Sequence, residues 1–194
     1  MRSDWHGSLK RCALAAVATS VAGCGSSHPL MPMEVGRATT YIARFGFDSR
    51  IEPIRVARRL SVAGEDGYEL SGPLGVSRLA WQGGVLYADQ AANAWFSPSL
   101  PMLAEDEKPR SWHGRLVSMG RVQPASAKLV HKKTKVDIGS RKIDAILATL
   151  TLRLPTGTIQ LESWYAPGTG LVQQEQRTNG KRLLQLQMVT APSN

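Results

Sequence analysis

The chain has 194 residues, 42% of them hydrophobic, two cysteines and a formal charge of +9. That length suits one domain that buries a core without disulfide staples, and two cysteines exclude a disulfide scaffold. The basic balance speaks to association with polyanions and names no particular ligand.

Lys10 and Arg11 precede an unbroken small and apolar run, Cys12 to Ala22, that leads to Gly23-Cys24. A positive flank, a short apolar run and a small-residue cleavage site make a secretory signal peptide, and the run is too short to cross a bilayer. An N-terminal helix with a buried cysteine is the alternative. It lacks the polar-apolar alternation of a surface helix, and Gly25-Ser26-Ser27-His28-Pro29 cannot continue it. Val21-Ala22-Gly23-Cys24 resembles the lipobox of bacterial lipoproteins. The resemblance implies cleavage before Cys24, a diacylglyceryl group on its sulfur with palmitate-like chains, and a membrane partner through that anchor. Two or more acyl chains are what stable anchoring needs. Gly25 and Ser26 resemble the class sent to the outer membrane, facing the periplasm.

The expected organisation is a signal peptide over 1–23, a lipidated cysteine and flexible tether over 24–33 with a solvated His28, and a single β-rich domain over 34–194. Cleavage leaves 171 of the 194 residues, a formal charge of +7 once Arg2, Asp4, Lys10 and Arg11 are gone, and no free cysteine. Outside the cytoplasm the polyanions are lipid head groups and envelope polymers, so no nucleic-acid partner is expected.

From Glu34 onward the chain reads as β structure. Ala38–Phe47 and Ile51–Val62 are the first strands, with Pro53 marking an edge or bulge. Gly64-Glu65-Asp66-Gly67 is a hairpin turn. Tyr68–Ser71, Val76–Trp81 and Val85–Ala88 follow, separated by glycine turns too short for parallel crossovers. Clustered alanines suggest one short helix over Asp89–Phe96. Residues 97–110, with three prolines and an acidic cluster, read as a long loop. Six more strands follow: Trp112–Met119, Ala127–Ile138, Lys142–Leu154, Thr158–Ala166, Leu171–Thr178 and Lys181–Thr190. Lys142–Leu154 is apolar on both faces, so it sits centrally or has another layer across it. Asn179-Gly180 is a strong hairpin signal.

Trp164-Tyr165-Ala166-Pro167-Gly168-Thr169-Gly170-Leu171-Val172 reads as a strand end, a Pro-Gly turn and a strand start, with glycines that permit positive φ. It resembles the Trp-Tyr-x-Pro-Gly-x-Gly-x-Val signature of bacterial periplasmic proteins and lipoproteins of unknown function. Met31-Pro32-Met33-Glu34-Val35-Gly36 and Leu100-Pro101 resemble that family's opening and mid-chain motifs. The sequence departs from the pattern where Ala38 or Thr39 stands in place of the family's aromatic, and over Glu105–Ser111, which intervene before Trp112. The resemblance implies a curved antiparallel sheet or half-barrel, similar in kind to lipoprotein carriers, and no catalytic residues. The fold class expected is therefore all-β or β-dominated.

No nucleophile elbow, phosphate loop or dinucleotide fingerprint is present, and His113 and His131 stand at no ligand spacing. No metal, cofactor (beyond the lipid on Cys24) or catalytic residue is expected. Glu105, Asp106 and Glu107 read as a solvated loop in preference to a loose cation site. Trp81, Tyr87, Trp95, Phe96, Trp112, Trp164 and Tyr165 could line an apolar cavity on a curved sheet, with Trp81, Trp112 and Trp164 as the candidate ligand-binding residues and a filled core as the plainer reading of the same aromatics. Lys128, His131, Lys132, Lys133, Lys135, Arg141 and Lys142 form a basic set that reads as a solvated edge or as a contact for anionic lipid or an acidic partner. The function expected is a non-catalytic envelope lipoprotein that binds or carries an apolar, lipid-like ligand. The alternative is an assembly lipoprotein that docks an envelope protein complex.

Overall fold

The structure, a computed structural model, describes residues 28–189. The signal-like stretch and Cys24 lie outside them. The described residues form twelve antiparallel strands: β1 (Ala38–Phe45), β2 (Asp48–Val62), β3 (Glu65–Gly72), β4 (Gly75–Gln82), β5 (Val85–Ala91), β6 (Ala94–Ala104), β7 (Arg110–Ser118), β8 (Arg121–Ile138), β9 (Arg141–Leu154), β10 (Gly157–Ala166), β11 (Gly170–Thr178) and β12 (Lys181–Met188). Each pairs with its sequence neighbours, and β1 also pairs with β12, so the sheet closes into an up-and-down barrel.

The all-β antiparallel expectation holds, with one difference: the barrel is closed where a half-barrel was expected. Tyr41 to Phe45 pair with Met188 to Leu184 on one side and with Glu52 to Asp48 on the other. An open sheet would leave two unpaired edges, and closure removes both. The alternating apolar residues of both strands also meet, because Tyr41, Ala43, Leu184 and Leu186 form one buried cluster.

Three local expectations are corrected. Asp89–Phe96 is the β5–β6 hairpin, turning at Ala92 and Asn93, and not a helix. Pairing on both sides outweighs the helix preference of alanine, a weak prior that tertiary context overrides. Residues 97–104 complete β6 and are no loop; the open stretch is 105–109. The prolines misled because they cannot donate to a ladder. Here β6 leaves β7 after Ser97↔Arg115, so Pro98 and Pro101 lie where that ladder has ended. The tether is docked from His28 onward. Leu30 and Met33 are buried in the main core, and His28 stacks on Trp81 at 3.5 Å. Apolar Leu and Met among the prolines are the reason: in this segment they have a core to enter.

Two apolar layers account for β9. Ala148, Leu150 and Leu152 face the main core, while Ala145 and Ile143, of the other parity, pack with Val136, Ile138, Ala166 and Val172.

The barrel cavity, a candidate functional site

About eight strands enclose just enough room for their own side chains. Twelve leave space, and the interior holds a cavity of about 330 Å³. Its wall is mostly aliphatic, including Leu70, Leu86, Leu100, Leu150, Leu152 and Leu186. The alternation of the strands places these residues inward. Met31 of the docked N-terminal segment lies at one end of the lining. Leu74, Ala92 and Ser118, beside the turns of the opposite end, lie at the other.

The polar groups on the wall are few and uncharged. The lining contains no Asp, Glu, Lys, Arg, His or Cys. Tyr41 donates its hydroxyl to the Leu171 carbonyl at 2.6 Å. Burial pushes the Tyr41 hydroxyl well above its ordinary pKa and raises Tyr165 to about 12, so both stay protonated at neutral pH. Gln174, also on the wall, donates to the Ser163 hydroxyl at 2.9 Å. This surface can shelter apolar groups and offer hydroxyl and amide hydrogen bonds. It supplies no general base and no charged nucleophile.

The Trp-Tyr-x-Pro-Gly stretch is the β10–β11 turn, and it builds the closed end. Gly168 and Gly170 have φ of +73° and +96°, in the region that favours glycine. Gly168 N–H donates to the Pro29 carbonyl at 2.8 Å, and Arg37 donates to the Thr169 carbonyl at 3.2 Å. Tyr165 keeps the inward parity of Ile159 and Leu161, while a bulge at Val172 opposite it breaks the alternation of β11 and brings Leu171 to the cavity wall. The turn thus docks the N-terminal segment and positions a cavity residue.

Trp81, Trp112 and Trp164 are not brought together and do not line the cavity. Trp81 is half-buried beneath His28. Trp112 is buried, donates to the Pro98 carbonyl at 3.1 Å and meets Phe96 edge-on. Trp164 packs in the second apolar layer with Val172. Of the aromatics named as possible lining, Phe96 and Tyr165 do reach the wall, while Tyr41 and Gln174 are lining residues that sequence reasoning missed. The leucine alternation of β9 and β12 pointed to the interior. The bulge hid Leu171, and polar Gln174 at an inward position masked the face of β11.

The acidic run is engaged. Glu105 pairs with His28, Asp106 with Arg110 at 2.8 Å and Glu107 with Lys133 at 3.3 Å. Arg110 beside Asp106 holds that carboxyl below its ordinary pKa. The basic set is no bare patch either, since Lys135 faces Asp144 at 3.6 Å and Lys142 faces Asp137 at 4.0 Å. His131 is half-buried and not a solvated edge residue. Its Nε2 accepts the Ala104 N–H at 3.1 Å, and burial lowers its pKa.

No protein-family model and no curated protein matches the chain. Among solved structures, a candidate lipoprotein of Parabacteroides distasonis is similar over 82% of this chain and 96% of its own, with a TM-score of 0.50 and 11% identity. A candidate exported protein of Bacteroides fragilis described as having a YmcC-like fold gives a TM-score of 0.46 at 14% identity, over 82% of this chain and 96% of its own. The hypothetical lipoprotein YmcC of Escherichia coli gives 0.43 at 11% identity, over 81% and 86%. The first likeness speaks to the fold alone: the chain shares a barrel architecture with a solved bacterial protein.

Proposed function

We propose that the protein is a non-catalytic envelope lipoprotein that holds or carries one apolar, lipid-like chain in its barrel, anchored through acylated Cys24 at the outer membrane. The observation that supports this reading is the cavity of about 330 Å³ with an uncharged, mainly aliphatic wall. Ligand pockets run from about 300 to 1,000 Å³ and are lined in this way. Cores otherwise hold few voids larger than a water. Leaving this much apolar space empty costs on the order of several kcal/mol. At about 30 Å³ per methylene, close to the share of a water, the space takes on the order of ten methylenes. Each contributes about 0.8 kcal/mol on burial.

The test is uptake of the neutral fluorescent probe N-phenyl-1-naphthylamine. Bound probe should brighten and blue-shift. Leu150→Trp, which fills the middle of the cavity, should weaken uptake by at least about tenfold, on the order of 1.4 kcal/mol. Equal uptake by a folded Leu150→Trp protein would refute binding inside the barrel. Phe47 and Met119, fully exposed on turns at the open end, favour a second reading, docking to an envelope protein. In that case Phe47→Ser with Met119→Ser should remove a crosslink in cells and leave probe uptake unchanged.

A further inference from the structure

Building on the reading of the cavity as an apolar-chain site, we propose that its ligand is a single-chain amphiphile with an anionic head group. The chain lies in the barrel, and the head is held at the rim by Arg50, Arg121 and Lys181. Strand register carries the argument. Residues directly opposed in an antiparallel pair project to the same face of the sheet. Arg121 opposes Ser118, which lines the cavity. Lys181 opposes Thr178, which in turn opposes Ile159, another lining residue. Arg50 opposes Ala43, which is wholly buried. All three cations therefore stand on the inward face, and all three are exposed.

They share one end of the barrel. Arg50 follows the β1–β2 turn, Arg121 the β7–β8 turn and Lys181 the β11–β12 turn. In an up-and-down barrel these turns lie at the same end, and β1 and β7 lie across the barrel from each other. It is the end away from the docked N-terminal segment. Two acids share the inward face of β2 with Arg50: Asp48, opposed to Phe45 and 4.0 Å from Arg50, and half-buried Glu52, opposed to the lining residue Tyr41. Among the described residues, Arg121 and Lys181 have no carboxylate within 4.0 Å. The turns of the other end carry acids and bases together, with Glu65, Asp66, Glu105, Asp106 and Glu107 beside Lys108, Arg141 and Lys142.

The interior decides where a head group can go. An ionised head is costly to bury without a charged partner, and the wall has none. The head must stay at the rim, beside the exposed Arg121 and Lys181. A carboxylate, sulfate or phosphate is attracted there, and an ammonium is repelled.

Displacement of N-phenyl-1-naphthylamine from the purified protein by dodecanoate, dodecanol and dodecyltrimethylammonium tests this, because the three share one chain length. Dodecanoate should compete at least about tenfold better than the cation at about 0.05 M salt, and the gap should shrink at about 0.5 M salt, where screening is strong. Arg121→Glu with Lys181→Glu should erase the gap and spare dodecanol, whose binding also reports that the variant is folded. Equal competition by all three ligands, or a gap indifferent to salt, overturns the anionic assignment and leaves the apolar cavity standing. Failure of all three to displace the probe overturns both. The salt series on the unaltered protein decides the matter even if the double variant does not fold.

Discussion

Gly168 and Gly170 show how much one turn carries. An added Cβ at Gly168 meets nothing within 4 Å, so a substitution there is penalised through the backbone alone. Gly168→Val should cost more than about 1 kcal/mol, read as a lower urea midpoint, and an unchanged midpoint would contradict the role given to φ. At Gly170 the added Cβ also lies 3.3 Å from Pro32, so alanine there presses on the docked segment. His131 is the residue with a pH signature. Its Nε2 accepts a hydrogen bond and burial depresses its pKa, so the folded state favours the neutral ring. The unfolded chain takes up a proton near pH 6.5, before the folded one does. The contribution is therefore full above about pH 6.5 and is lost as pH falls through the depressed folded pKa. Urea midpoints between about pH 7.5 and 5.5 should fall for the unaltered protein and less steeply for His131→Asn; parallel slopes would count against it.

Among the elements, eleven of the twelve strands were legible from alternation and glycine turns, with ends shifted by a few residues. Asn179-Gly180 marked the last hairpin, and the two-faced β9 was foreseen from its apolar parities. The twelfth strand, β6, was not legible. Its prolines read as breakers, and only the departure of β7 after Ser97↔Arg115 makes them compatible with a strand. The N-terminal segment was misread because Gly, Ser and Pro spoke for a tether while Leu30 and Met33 supplied the anchors. Its docking is testable. Leu30→Ala should cost about 2–5 kcal/mol, as for other buried leucines. A loss within about 0.5 kcal/mol, the usual surface value, would mean that the segment is loose.

At the scale of the whole molecule, a closed barrel joins a plugged end to an open one. His28 lies at the plugged end, against Trp81 and Glu105. Cys24 is four residues before it, a reach of at most about 14 Å. Under the lipoprotein reading, the plugged end therefore sits near the membrane and the basic mouth points away from it. Cys24→Ser should leave the chain uncleaved and without acyl mass; a mature mass changed by nothing beyond the substitution would refute the anchor. The candidate site was only half legible. Leucine alternation announced an apolar interior, whereas barrel closure, which decides what encloses it, depends on the long-range pairing of β1 with β12. The three tryptophans singled out as ligand contacts serve packing and the N-terminal dock. The most direct measurement is native mass spectrometry of the body from Gly25 onward, purified gently from the bacterial envelope. The account predicts an added lipid-sized mass that organic extraction removes and that Leu150→Trp lacks. A clean apo mass, with no uptake of added single-chain amphiphiles, would contradict it.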